Sequence, residues 1–249
     1  MVEGLELFRN HFRTYKDDYV LIGGVACELV LGSFGIAFRP TKDFDIVIVA
    51  DNLTSGYGAA LKDFIRDGGY KVYRRRSNNK PTFFRFIEPS SPDYPSVLEL
   101  ATKIPSETWS YDFAPLDIGD DNPSLSAILF KADYYDYICA NTIEIEGIRT
   151  ASIDALIPLK SLAYKNLCSI ANPSEDTLIK IDKHHDDIYR IAEALPQRSI
   201  ILPPIIAADL SWTFKSLQDK ITPGNATAEL RLELLEQIRT FFALGAVQK

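Results

Sequence analysis

The segment DFDIVIV, Asp43 to Val49, constrains this chain more than any other. Phe44 onward reads as a core strand, yet it is preceded and interrupted by carboxylates two residues apart. Side chains alternate between faces along a strand, so Asp43 and Asp45 project together while Phe44 turns the other way into a core. Two like charges held that close repel, and burial makes the repulsion worse. A divalent cation between them removes the problem. Mg²⁺ suits such a place, because it takes a couple of carboxylates and completes its shell with substrate phosphate oxygens. Two ions of this kind can serve an in-line phosphoryl displacement.

Upstream, YVLI (Tyr19–Ile22) reads as a short buried strand ended by Gly23 and Gly24, with VACELVL as the next helix. A strand, a glycine pair and a helix N-terminus leave backbone N–H groups and the positive end of the helix dipole at the turn, which is an anion site. Glycine lets the backbone come close to a phosphate. A glycine pair alone is usually a plain turn, and an Asp-x-Asp alone a solvated strand end. Together, in this order and on these elements, they describe a nucleoside triphosphate site.

The rest of the first half alternates helix and strand. Leu5, Phe8, Phe12 and Tyr15 recur at helical spacing and predict a helix over residues 3–16. Residues 57–67 predict another, stopped by Gly68-Gly69. YKVYRR, FFRFIE, SVLELAT, LSAILF and TIEIEGI read as strands, and ADYYDYICA as a helix. Beyond residue 151 helical periods take over, near 154–170, 178–195, 204–219 and 227–243. The expectation is an α/β (α+β) fold: a mixed-sheet core over 1–150 and a helical C-terminal domain over 151–249. In the last helix Leu230, Leu234, Ile238, Phe241 and Phe242 are expected to pack internally.

A 46% hydrophobic content in 249 residues supplies a core without disulfides. Cys27, Cys139 and Cys168 are odd in number, far apart and in apolar contexts, so they read as reduced packing residues. The net charge of −7 excludes a generally basic nucleic-acid coat, so such contact would need a local patch. Arg74, Arg75, Arg76 and Lys80 in YRRRSNNK offer one. No leader pattern opens the chain and no apolar run spans a bilayer, so a cytoplasmic protein without membrane partners is expected.

With IGG and DFDIVI on the page, the chain resembles the nucleotidyltransferase fold of the DNA polymerase β type. FRPTKDFDIVI is especially similar to the bacterial AbiEii-type toxin nucleotidyltransferases, where Arg-x-Thr-x-Asp-h-Asp precedes the strand. The resemblance implies a Mg²⁺-dependent transfer of a nucleoside monophosphate from a triphosphate to an acceptor hydroxyl. Asp43 and Asp45 would hold metal. Gly23, Gly24, Arg39, Thr41 and Lys42 would bind the nucleotide. It also implies a third carboxylate on a neighbouring strand, which Glu99 in SVLELAT supplies as metal ligand or base. Glu88 is the alternative.

The helix ALIPLKSLAYKNL puts Lys160 amid an apolar face, where an ammonium needs an anion. The family's Lys-x-x-Ala motif matches KSLA and implies that Lys160 meets nucleotide phosphates; Lys165, opposite, is expected at the surface. DIYR partly matches a further family motif, which carries over Asp187 as a catalytic residue. The bland reading of Asp187 is a surface ion pair with Lys183. The resemblance further implies a toxin-like enzyme acting on tRNA or another macromolecule, with a cognate antitoxin. The alternatives are a small-molecule nucleotidyltransferase of the aminoglycoside-modifying sort, or a non-catalytic nucleotide-binding protein of the same fold.

Overall fold

The computed structural model describes residues 2–49, 55–74, 81–103, 113–115, 126–222 and 224–245. Arg75, Arg76 and Lys80 of the basic segment lie outside them. The chain forms two compact units. One comprises Met1–Ser33 and Ala37–Ser152; the other comprises Phe34–Ile36 and Ile153–Lys249.

The first unit is a mixed sheet with helices. Its strands are β1 (Tyr19–Ile22), β2 (Asp43–Ile48), β3 (Lys71–Arg74), β4 (Pro81–Ile87), β5 (Val97–Lys103), β6 (Phe113–Pro115), β7 (Ser126–Phe130), β8 (Thr142–Ile145) and β9 (Ile148–Ala151). The lateral order is β3-β4-β5-β2-β1-β9-β8, with β7 pairing β5 and β6. The far edge of β5 is shared. Its first half pairs antiparallel with β4 and its second half parallel with β7. The helices of this unit are α1 (Leu5–His11), α2 (Gly23–Ser33), α3 (Ser55–Asp67) and α4 (Ala132–Ala140).

Two local outcomes differ from the sequence expectation. Helix α1 ends at His11 rather than near residue 16, and a short 3₁₀ turn at Lys16–Asp18 follows. Phe12 and Tyr15 are drawn into a shared aromatic cluster, and tertiary packing overrides local helix preference there. TIEIEGI is not one strand. Glu146 and Gly147 both take left-handed φ values of 51° and 80°. Two such residues form the tight turn that joins β8 to β9 as a hairpin.

One face of the sheet carries the main core. Phe44, Ile46 and Ile48 of β2, Leu98 and Leu100 of β5 and Phe86 of β4 meet Leu5 and Phe8 of α1 and Tyr57, Leu61 and Phe64 of α3. Phe8 lies within 6 Å of four aromatic rings: Phe12 at 4.5 Å, Tyr19 at 5.2 Å, Phe44 at 5.3 Å and Phe64 at 5.8 Å. Burial pushes the Tyr57 phenol well above its ordinary pKa, so it stays neutral inside this cluster.

The second unit is helical: α5 (Ile153–Cys168), α6 (Glu175–Ala192), α7 (Pro204–Asp219) and α8 (Ala226–Phe241). Helix α5 packs on α6 and α7, and α8 packs on the same two. Ser174 and Asn225 cap α6 and α8 by accepting from the N–H of Thr177 and Ala228. Leu234, Ile238, Phe241 and Phe242 are buried as expected, whereas Leu230, in the first turns of α8, is exposed. Cys27 is buried, Cys139 and Cys168 are half-buried, and none of the three is in a disulfide. No helix among the described residues is long and apolar enough to cross a membrane.

Because Phe8 joins both helices to the sheet, Phe8→Ala should lower unfolding stability by about 3–5 kcal/mol. Urea denaturation followed by tryptophan fluorescence and circular dichroism measures it.

Candidate functional site

The alternation expected of β2 holds. Phe44 is fully buried in the core, Asp43 is exposed and Asp45 is half-buried. In the parallel ladder between β2 and β5, Asp45 stands opposite Glu99, and Phe44 opposite Leu98. Leu98 belongs to the same core as Phe44, so Glu99 shares the other face with the aspartates. The register thus sets Glu99 beside Asp45. Glu88 lies past the end of β4, exposed, and bonds Lys71 at 2.8 Å.

On its other side Asp45 stands opposite Ile22, the last residue of β1. Helix α2 starts at the next residue, so Gly23 and Gly24 are its first turn rather than a loop before it. Gly23 has a φ of +69°, and a Cβ there would lie 1.9 Å from Oδ2 of Asp45. A Cβ on Gly24 would lie 2.4 Å from Oγ1 of Thr41. The glycines are therefore required by two polar side chains of this chain, which close on the start of α2. The sequence reading assigned that closeness to a phosphate. A carboxylate at a helix N-terminus is favourably placed, because the dipole and the unsatisfied first-turn N–H groups favour negative charge.

The residues flanking the aspartates have partners within the protein. The Arg39 guanidinium lies 5.1 Å from the centre of the Phe38 ring. Lys42 is exposed and 3.8 Å from Glu3, a weak surface pair. Glu99 meets Arg85 of β4, whose Nη1 is 3.5 Å from its Oε1. Arg85 stands opposite Glu99 in the ladder, so Ile22, Asp45, Glu99 and Arg85 form one row across four strands. Sequence reasoning overlooked Arg85. Its signal is a single cation inside the aromatic run FFRF.

Among the described residues, no three His, Cys, Asp or Glu side chains converge as a ready metal cage. Asp45 is drawn to Gly23 and Glu99 toward Arg85. Asp43 and Asp45 still supply hard oxygen donors from one face of one strand. Mg²⁺ keeps several waters and needs only one or two protein carboxylates, so this donor set fits it.

In the second unit, Lys160 of α5 and Asp187 of α6 come together. Nζ is 2.8 Å from Oδ2, and the side chains are 6% and 3% exposed. Lys160 is buried as expected, but the anion it needs is Asp187. A phosphate would have to displace that carboxylate. Asp187 is buried rather than at the surface, and its carboxylate faces Lys160. Lys165, expected at the surface, bonds Asp209 of α7.

The chain matches no family model, no curated protein and no solved structure.

Two outcomes follow from this geometry. Gly23→Ala forces a side chain into a left-handed backbone and against Asp45, and should cost about 1–2 kcal/mol from backbone strain alone; urea unfolding reads this. Lys160→Met or Asp187→Leu alone leaves a buried unpaired charge and should cost about 3–5 kcal/mol, whereas the double variant should regain most of it. A double-mutant cycle of unfolding free energies checks the pair.

Proposed function

We propose that this protein is a Mg²⁺-dependent nucleotidyltransferase, which moves a nucleoside monophosphate from a triphosphate to an acceptor hydroxyl. The observation that carries the proposal is the Asp45–Glu99 register pair beside the Gly23–Gly24 start of α2. Carboxylates and a helix N-terminus, whose dipole favours negative charge, lie side by side there, and a divalent cation held by the carboxylates would let them share that space with a triphosphate.

Asp43 and Asp45 are the residues that would hold Mg²⁺, which supplies charge neutralisation for the triphosphate. The first turn of α2 offers backbone N–H groups to phosphate oxygens. The Thr41 hydroxyl, packed on Gly24, offers a further donor. Arg39 and Lys42 add positive charge on the segment leading into β2. Glu99 is positioned to accept the proton of the acceptor hydroxyl or to share in metal binding. Lys160 and Asp187 enter this reading as the pair that ties α5 to α6.

The resemblance to AbiEii-type enzymes makes tRNA or another macromolecule the first acceptor to test, and an aminoglycoside-type small molecule the second. A toxin-like role with a cognate antitoxin belongs to the same reading.

Incubation with each α-³²P nucleoside triphosphate, Mg²⁺ and total RNA should label RNA. Asp45→Ala and Asp43→Ala should each reduce labelling at least about a hundredfold, the scale of losing one charge-stabilising group. Labelling that survives both changes would refute the metal assignment. Growth arrest on expression, relieved by Asp45→Ala, is the outcome expected of a toxin.

A further inference from the structure

We propose that Arg85 is the acceptor-side contact, engaging an anionic group of the acceptor on the flank of the carboxylates opposite the Gly23–Gly24 helix start. The inference rests on the nucleotidyl-transfer reading and adds a residue and a charge class to it.

The sheet supplies the direction. Across β4-β5-β2-β1 the row reads Arg85, Glu99, Asp45, Ile22. The helix start that would take the triphosphate follows Ile22, at one end. Arg85 stands at the other end, two strands from Asp45, or about 10 Å at ordinary strand spacing. In an in-line displacement the acceptor and the leaving pyrophosphate lie on opposite sides of the reacting phosphorus. With the triphosphate at the β1 end, the acceptor approaches from the β4 end.

Arg85 is built for contact rather than for stability. Its side chain is 37% exposed. Among the described residues, Glu99 takes one of its five N–H donors, at 3.5 Å, and Nε is buried with no hydrogen-bond partner. A partly exposed pair at that separation stabilises a fold little. The guanidinium lies over the Tyr73 ring, its Cζ 5.2 Å from the ring centre. An oriented guanidinium fork with donors left over matches the oxygens of a phosphate. The same charge repels a polycationic acceptor such as an aminoglycoside.

The test uses the full chain and a fluorescein-labelled single-stranded oligoribonucleotide, with binding read by anisotropy over a salt series. The wild type should bind it. Arg85→Gln, which removes the charge and leaves a shorter side chain with a planar polar amide, should weaken binding about tenfold and lower the log–log salt slope by about one. Arg85→Lys should fall between, since it keeps the charge and loses the fork. In the same samples, binding of each nucleoside triphosphate with Mg²⁺ should change less than twofold in both variants and be lost in Asp45→Asn. Oligoribonucleotide binding equal to wild type in Arg85→Gln overturns the inference, as does a wild type that binds a polycationic aminoglycoside and not the oligoribonucleotide. If nucleotide binding nonetheless depends on Asp45, the transfer reading stands without the inference. A wild type that binds no nucleoside triphosphate overturns both.

Discussion

The parallel ladder between β2 and β5 is the constraint from which the candidate site follows. It aligns Phe44 with Leu98 and Asp45 with Glu99, so one alternation serves two purposes. Apolar partners fill the core on one face, and carboxylates gather on the other. A slip of one residue would set Phe44 beside Glu99 and turn one strand's apolar set away from the core. The buried partners Phe44, Leu98 and Phe86 therefore hold the polar row in register.

The close approach of Asp45 to the start of α2 is the second consequence. Ile22 and Asp45 pair in the antiparallel ladder, and the chain turns directly into the helix at Gly23. Only a residue without Cβ leaves room for the carboxylate oxygen there. Negative charge, helix dipole and first-turn N–H groups then share a small volume. That concentration distinguishes this strand end from an ordinary solvated one.

The helical unit solves a different problem. An ammonium and a carboxylate are both nearly sealed from water, and each satisfies the other across α5 and α6. Such a pair adds little net stability over an apolar substitute, but removing one partner is costly. It joins the facing sides of the two helices, and Lys165 with Asp209 joins α5 to α7 at a more exposed position.

The sequence by itself determined the features that depend on local period. These are the strand at DFDIVIV with its aspartates on one face, a helix directly following the first strand, the inward Lys160, and the change to helices near residue 151. Periods of two and of about three and a half are written in neighbouring residues, so they can be read without the fold. Only the tertiary structure decided which distant residues would meet. Glu99 rather than Glu88 stands beside Asp45 because β5 pairs with β2 in one register. Arg85 joins the row because β4 pairs with β5. Asp187 meets Lys160, and Asp45 meets Gly23, because packing brought separate segments into contact. The early end of α1 and the β8–β9 turn have the same origin. Strand partners and helix faces are chosen by long-range burial, and no short stretch of sequence encodes that choice.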